Sequence, residues 1–258
     1  MVYPSKENNN SEEPQQMIFG LRPVLEAIDA GREISKVLLR KGLDGDTYRK
    51  LTAAMRKYDI PSQVVPSEKL NRVTRKNHQG VIAFVSPVEY VRIENLLPAL
   101  FEKGETPFIV VCEGVTDTRN IGAIARSAEC AGAHAIMLPV KGSAMISADA
   151  VKASAGALNH IAVCRTDNLR TTLMFLKNSG LKIIAATEKA NDIYYDADLA
   201  GPAALLLGAE DTGISPEYLR LADKTVKIPV KGNIHSFNVS AAAAVLMCEI
   251  VKQNEQNC

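Results

Sequence analysis

The spacing of apolar residues along the chain changes near residue 107, and this change predicts two structural units. From Pro107 onward, apolar runs of four to seven residues, such as "FIVVC" and "AALLL", alternate with segments of helical spacing. Such runs are typical of strands buried on both faces, which belong to parallel sheets covered by helices. We therefore predict that residues 107–258 form an α/β domain around a parallel sheet.

A shorter unit of mixed elements precedes this domain, over residues 17–86. "GLRPVLEAIDAG" and "DTYRKLTAAMRKY" have helical spacing, whereas "ISKVLLR", "SQVV" and "GVIAFVSP" are typical of strands. They predict a compact α/β unit of about seventy residues. Residues 87–106 contain proline, glycine and one short helical pattern, and we interpret them as a linker. Residues 1–16 are polar and rich in Asn, Glu and Gln, which predicts a disordered tail.

Composition indicates the compartment. No apolar run approaches the roughly 20 residues that span a bilayer, and the first residues lack the apolar centre of a signal peptide. We therefore expect a cytoplasmic protein that does not contact a membrane. The chain has five cysteines and no C-x-x-C pair. We interpret Cys112, Cys130, Cys164 and Cys248 as reduced core residues and Cys258 as a frayed terminal thiol.

The formal charge is distributed unevenly. The whole chain carries a net charge of +1, but residues 17–86 contain 13 Lys or Arg against 7 Asp or Glu, a balance of +6. Clustered cations of this kind favour binding to an anionic polymer, because neutralising phosphates releases counterions. An ordinary solvated surface is an equally good explanation of the charge alone.

Three loops between predicted strands and helices carry unusual polar residues. They are "EGVTDTRNIGAIARSAECAG", "LLLGAEDTGI" and "IPVKGNIHSFNVSAAAA". If the sheet is parallel, these loops converge at the carboxyl ends of the strands, where ligands bind in such folds. Taken singly, each loop also has a plain structural explanation: a helix cap with a surface arginine for the first, and a tight turn for the second. In the third, Ser236, Asn238 and Ser240 precede the last helix, and a cap needs only one of them.

Other classes of site lack their sequence signals. The chain has no G-x-G, no phosphate-binding G-x-x-x-x-G-K-[ST] and no G-x-S-x-G. This argues against nucleotide hydrolysis, hydride transfer and serine hydrolysis. The four histidines are isolated from one another and from any cysteine pair, so we expect no metal site.

Together, the three loops resemble in order and spacing the three motifs of the SpoU branch of the SPOUT superfamily. Its members are S-adenosylmethionine-dependent RNA ribose 2'-O-methyltransferases. The front unit, from "IFGLRPVLEAI" to "NHQGVIAFV", is similar to the family's substrate-binding domain, which is akin to ribosomal protein L30e. Its form is most similar to that of bacterial members that methylate a guanosine ribose in 23S ribosomal RNA. The resemblance also implies a trefoil knot in the C-terminal domain and a homodimer formed through that domain.

The resemblance assigns roles to named residues. The catalytic candidates are Asn120, Arg126, Glu210, Ser236 and Asn238. The cofactor-binding candidates are Leu207, Gly208, Gly213, Ile228, Pro229, Phe237 and Ser240. Because a guanidinium stays protonated, we expect Arg126 to act electrostatically or on a phosphate, and Glu210 to be the nearest candidate base.

The front domain supplies the candidates for RNA binding. They are Arg22, Arg72, Arg75, Lys76 and His78, which lie in or beside predicted loops. Two alternatives stay open at this point. One is a methyltransferase that acts on transfer RNA or on another ribosomal position. The other is an RNA-binding assembly factor that has lost turnover, which the retained polar residues of the three motifs argue against.

Two positions depart from the family pattern. Thr118 stands where proline is usual after the aspartate, and Phe237 stands where leucine is usual. Thr118 removes no proposed functional group, and Phe237 is expected to act through its backbone. Neither change therefore argues against the reaction.

Overall fold

The computed structural model describes residues 16–58 and 60–256. The predicted tail lies outside these ranges except for Gln16, whose carbonyl oxygen accepts a hydrogen bond from the Val85 backbone N–H at 2.9 Å. Cys258 also lies outside the described residues. Gln16 therefore belongs to the front unit.

The front unit is a four-stranded mixed sheet with three helices. Its elements are β1 (Met17–Phe19), α1 (Leu21–Asp29), β2 (Ile34–Arg40), α2 (Asp46–Lys57), β3 (Ser62–Val65), α3 (Ser67–Val73) and β4 (Val81–Val85). The strand order is β1-β4-β2-β3, in which only β2 and β3 run parallel. Helices α1 and α2 bury Val24 and Leu51 in the same core as Val37 of β2, as their helical spacing predicts.

Residues 87–106 differ from the linker that we expected. Tyr90–Val91 forms β5, which pairs with a strand of the larger sheet, and Ile93–Glu102 forms α4. Ile93 and Leu97 of α4 are buried in the core of the larger domain. The short helix was predicted, but its apolar face packs on the sheet, so this segment is part of the larger domain.

The larger domain alternates strands and helices. Its elements are β6 (Phe108–Cys112), α5 (Thr118–Cys130), β7 (Ala135–Pro139), α6 (Ala148–Ala153), β8 (Ala162–Thr166), α7 (Leu169–Asn178), β9 (Lys182–Ala186), β10 (Asp192–Ile193), β11 (Ala203–Leu207), α8 (Pro216–Leu219), β12 (Lys224–Lys227) and α9 (Val239–Gln256). With β5 they form an eight-stranded sheet in the order β10-β12-β9-β11-β6-β7-β8-β5, and every pairing is parallel. The predicted parallel sheet is confirmed.

Burial of the central strands explains their unbroken apolar runs. All five residues of β6 and all five of β11 are buried, because separate clusters of side chains pack on each face of the sheet. On one face, α9 contributes Ala243 and Leu246 to the same core as Ile121 and Ala125 of α5. The loops that follow β6, β11 and β12 therefore share one edge of the sheet, and α5 and α9 lie together beside that edge.

The cysteines divide into two classes, which corrects part of the prediction. Cys112 and Cys164 are buried, and desolvation raises the pKa of each thiol to about 12, so neither is a nucleophile. Cys130 and Cys248 are exposed instead. The apolar spacing of their helices was read correctly, but these two positions lie outside the buried stripe of α5 and α9.

No helix within residues 16–58 and 60–256 combines the length and the apolar content that crossing a bilayer requires.

Candidate active site

The polar side chains of the three loops meet in one hydrogen-bonded chain. The Asn238 amide nitrogen Nδ2 donates to Asn120 Oδ1 at 3.1 Å, and Asn120 Nδ2 donates to Glu210 Oε2 at 3.3 Å. Asn238 and Glu210 come from the loops after β12 and β11, and Asn120 lies in the first turn of α5, just after the loop that follows β6. The convergence that a parallel sheet predicts is therefore realised by direct contacts.

The helix cap at the start of α9 fixes the direction of this chain. Asn238 Oδ1 accepts hydrogen bonds from the backbone N–H of Ser240 at 2.9 Å and of Ala241 at 3.4 Å. An amide oxygen that caps a helix leaves its NH₂ group as the donor toward Asn120. Asn120 must then accept through its oxygen and donate through its nitrogen to the Glu210 carboxylate. The amides are thus oriented from the N-terminus of α9 to Glu210.

The cap also accounts for the clustered polar residues before α9. Asn238 is the capping residue, and the Ser240 hydroxyl donates to the same Asn238 oxygen at 2.6 Å. Ser236 takes no part in the cap and lines the adjacent cavity. Two of the three positions therefore belong to the helix cap, and the third faces the cavity.

Glu210 lies at the tip of a closed turn. The backbone N–H of Gly213 donates to Ala209 O at 2.9 Å, and Ala209 N–H donates to Gly213 O at 3.2 Å. A Cβ atom at Gly208 would lie 2.3 Å from the Gly213 carbonyl carbon and 2.4 Å from the Ile214 nitrogen. Gly213 has a φ of +68°, which favours glycine. Both glycines are therefore required by this turn.

An open cavity of about 270 Å³ lies beside the turn. Five of the seven predicted cofactor residues line it: Leu207, Gly208, Gly213, Ile228 and Phe237. The catalytic candidates Glu210 and Ser236 line it as well. Pro229 and Ser240 are not among its lining residues. Pro229 adjoins Ile228 in the loop, and the Ser240 hydroxyl is directed at the α9 cap.

The sequence reasoning missed one wall of this cavity. Thr187, Glu188 and Lys189, which follow β9, line it together with His235 and Val230. The sequence does indicate this wall: the polar stretch "TEKAND" follows a buried strand, so it is expected at the same edge of the sheet as the other polar loops.

Arg126 does not lie beside the first cavity of its own chain. It is exposed, and it lines a second cavity of about 410 Å³ between α5 and α9, together with Cys130, Ala244 and Cys248. It lies six positions after Asn120 on the same helix, about 9 Å along the axis. Arg126 is not among the residues that line the first cavity.

Four of the five predicted RNA-binding residues are exposed on the front unit: Arg22, Arg72, Arg75 and Lys76. The start of α1 and the loop before β4 are adjacent, because Gly20 N–H donates to Val81 O at 3.0 Å. Arg22 therefore lies near the segment that carries Arg75 and Lys76.

His78 differs from the prediction that it meets RNA. It is buried, its Nδ1 accepts from the Gly80 N–H at 3.0 Å, and its Nε2 is 2.9 Å from Asn71 Oδ1. Because the residue is buried and both ring nitrogens are engaged, the structure gives the ring the role of supporting the loop from inside. Over the described ranges, no three His, Cys, Asp or Glu side chains are grouped so that they could hold a metal ion.

Comparison with known proteins identifies this arrangement. Residues 107–248 match the model of the SpoU rRNA methylase family, and residues 17–91 match the model for RNA 2'-O ribose methyltransferase substrate binding. The chain belongs to the SpoU rRNA methylase family. It is therefore an RNA 2'-O-methyltransferase, and enzymes of this family use S-adenosylmethionine.

Individual relatives of the family span nearly the whole chain. The 23S rRNA (guanosine-2'-O-)-methyltransferase RlmB of Yersinia pestis is 34% identical over 240 residues, 92% of this chain and 97% of its own. YacO of Bacillus subtilis, whose name places it in the TrmH family of tRNA/rRNA methyltransferases, is 31% identical over 236 residues, 92% and 95% of the two chains. The AdoMet-bound rRNA methyltransferase of Sinorhizobium meliloti has the same fold, with a TM-score of 0.58, 24% identity and coverage of 90% and 85%.

The turn at Gly208 provides a test of the cavity. We expect Gly208→Ala to weaken S-adenosylmethionine binding at least tenfold, because its Cβ would force the Gly213–Ile214 backbone out of the cavity wall. Gly180→Ala is the matched control: Gly180 also has a positive φ, its Cβ would meet no atom within 4 Å, and it does not line the cavity, so its cost is backbone strain of about 1–2 kcal/mol. Isothermal titration calorimetry measures both, and equal losses would contradict the steric explanation.

Proposed function

We propose that this enzyme methylates the ribose 2'-hydroxyl of a guanosine in 23S ribosomal RNA. The 34% identity to the Yersinia enzyme extends over both domains, which supports the same kind of substrate. The observation that carries the mechanism is the hydrogen-bonded chain from the α9 cap through Asn238 and Asn120 to Glu210. Ribosomal RNA as the substrate implies a cytoplasmic enzyme.

The cofactor-binding residues are those of the cavity beside the Glu210 turn. We assign Leu207, Gly208, Gly213, Ile228 and Phe237 to this role, with Pro229 and Ser240 shaping the loop and the helix start behind them. S-adenosylmethionine supplies a methyl group on a sulfonium cation. The open glycine turn lets backbone groups approach a ligand closely, and Glu210 places a carboxylate at the rim.

Glu210 is the proposed proton acceptor for the ribose hydroxyl. Asn120 Nδ2 holds its Oε2, and we assign proton acceptance to the other oxygen, Oε1. Because the amide chain is anchored at a helix cap, Glu210 is held in place before the substrate arrives, which lowers the entropic cost of alignment. Ser236 and Asn238 are placed to orient the ribose by hydrogen bonds.

Arg126 is proposed to act across a homodimer interface. Within one chain it lines the α5–α9 cavity and not the cofactor cavity, so its own chain does not explain a catalytic role. A second copy docked on α5 and α9 would bring Arg126 toward the partner's site. There its permanent charge would stabilise the developing alkoxide or an adjacent phosphate.

A trefoil knot is also proposed for the larger domain. After β12 the chain returns across β9 and β11 to place α9 against α5, and the connecting loop shares a cavity with the loops after β9 and β11. This crossing at the cofactor cavity is the arrangement that a knot requires, and it supports the prediction made from the family resemblance.

The reaction is tested with labelled S-adenosylmethionine and unmodified 23S rRNA, 16S rRNA and transfer RNA. We expect label at one guanosine of 23S rRNA whose 3' linkage resists alkali, and none with Glu210→Ala. Label in transfer RNA would favour the second candidate, which the name of the Bacillus relative supports. Label in none of the RNAs, with cofactor binding intact, would contradict both candidates.

The role of Arg126 is tested by mixing two inactive variants. If Arg126 serves the partner's site, Arg126→Ala and Glu210→Ala subunits should form mixed dimers with one complete site. Random exchange would then restore about a quarter of wild-type activity. If Arg126 serves its own chain, the mixture stays as inactive as its components. Single-turnover methylation after subunit exchange measures the difference, and co-purification of one affinity-tagged variant with the untagged other verifies the mixed dimer.

The basic surface of the front domain is tested by removing its charge. We expect the variant with Arg72→Gln, Arg75→Gln and Lys76→Gln to bind RNA at least tenfold more weakly at low salt, with a shallower dependence on salt concentration. The matched control replaces Lys50, Arg56 and Lys57 of α2 by Gln, which removes the same charge from another part of the domain. Equal effects of the two variants would indicate general attraction and not a defined surface.

A further inference from the structure

Glu113 contacts both ends of the segment that carries Glu210. Its backbone N–H donates to Leu207 O at 2.8 Å, immediately before Gly208. Its carboxylate accepts a hydrogen bond from the Ser215 backbone N–H at 2.9 Å through Oε2 and another from the Ser215 hydroxyl through Oε1. One residue at the end of β6 therefore joins the last residue of β11 to the first residue beyond the turn.

The segment between these two contacts is closed on itself. Ala209 and Gly213 exchange backbone hydrogen bonds, and Gly208 is packed directly against the Gly213–Ile214 backbone. Such a turn moves as one body, because its internal geometry is already fixed. What its own bonds leave undetermined is its tilt relative to the cavity, and the Glu113 contacts are placed to set that tilt.

A local explanation of the Glu113 carboxylate is weaker. Ser215 precedes α8, and its own side chain makes no capping bond to that helix. The carboxylate does satisfy the Ser215 N–H, but α8 is only four residues long. A half-buried carboxylate that only capped so short a helix would add little to the stability of the fold. The turn beside it, in contrast, carries Glu210 and one wall of the cavity.

We propose that Glu113 is a positioning residue for methyl transfer, which clamps both ends of the Gly208–Ile214 turn and so holds Glu210 and the cofactor wall in place. Glu113 acts through the turn and is not itself a catalytic residue. The proposal rests on the role assigned to Glu210 for its effect on turnover. Its effect on cofactor binding does not depend on the RNA substrate.

The first test measures affinity for S-adenosylhomocysteine by calorimetry with Glu113→Ala, Glu113→Gln and Ser215→Ala. We expect Glu113→Ala to weaken binding about tenfold or more, since it removes both acceptor bonds. Glu113→Gln should lie between Glu113→Ala and wild type, because its amide oxygen accepts from the Ser215 N–H and its NH₂ donates to the hydroxyl. Ser215→Ala should show a smaller loss, because it keeps the backbone bond.

A solely structural role predicts a different pattern. Substitution of Glu113 would then lower the melting temperature. It would leave the affinity for S-adenosylhomocysteine unchanged at temperatures where circular dichroism shows every variant folded. Glu102→Ala, which removes an exposed carboxylate at the end of α4, is the control and should bind like wild type. Wild-type affinity in Glu113→Ala would overturn the proposal, and if that variant does not fold, wild-type affinity in Glu113→Gln and Ser215→Ala would overturn it.

A double-mutant cycle tests the route through Glu210. If Glu113 acts on turnover by placing Glu210, then Glu113→Gln should lower kcat in the wild-type background but have little further effect in Glu210→Asp, which keeps a carboxylate base but not its placement. Fully additive losses in kcat would overturn this route. Failure of the wild type to methylate any RNA would count against the proposed function alone, because the affinity series still tests the clamp.

Discussion

The capping bond between Asn238 and the first turn of α9 is the interaction on which the site depends. A helix start needs an acceptor for its free N–H groups, and here the acceptor is an amide whose other end is a donor. Stabilising the helix therefore also directs an N–H toward Asn120 and, through it, toward Glu210. The position of the Glu210 carboxylate therefore follows from the need to cap α9. The same hydrogen bonds hold together loops from distant parts of the sequence, and among the described residues no disulfide and no group of metal-binding side chains does so.

Much of this arrangement could be predicted because buried strands leave a strong signal. Runs such as "FIVVC" and "AALLL" permit only strands covered on both faces, which in turn implies parallel order and a common edge for the polar loops. The two-residue strands β5 and β10 were missed, since two residues carry no period. β5 lies in residues 87–106, whose proline and glycine suggested a linker. The buried side chains of α4 show that this segment instead packs on the sheet.

The errors on single residues have a common cause. Which face of an element is covered depends on neighbours that one sequence does not show. His78 lies in a basic, polar stretch but is buried and has both ring nitrogens engaged. Cys130 and Cys248 lie in apolar helices but are exposed. Arg126 is a different case, because its catalytic role stays a prediction: the structure places it in the cavity between α5 and α9 and not among the residues that line the cofactor cavity of its own chain.

The strand order has a consequence for how the protein is made. β6 lies in the middle of the sheet beside β11, with Phe108 paired to Ala203, and α9 covers the same face. The pairing of β6 with β11 is therefore distant in sequence, whereas β6 and β7 are consecutive strands. Distant pairings form slowly because long loops must close first. On the ribosome, β6 can pair with β7 early, but β11 exists only after most of the larger domain has been synthesised, and the cavity stays incomplete until Leu246 has emerged. The front unit needs no residue beyond β4 to complete its own sheet, because β4 supplies the partner of β1. It can therefore fold long before this, so the nascent chain would have its RNA-binding surface before it has a complete catalytic domain.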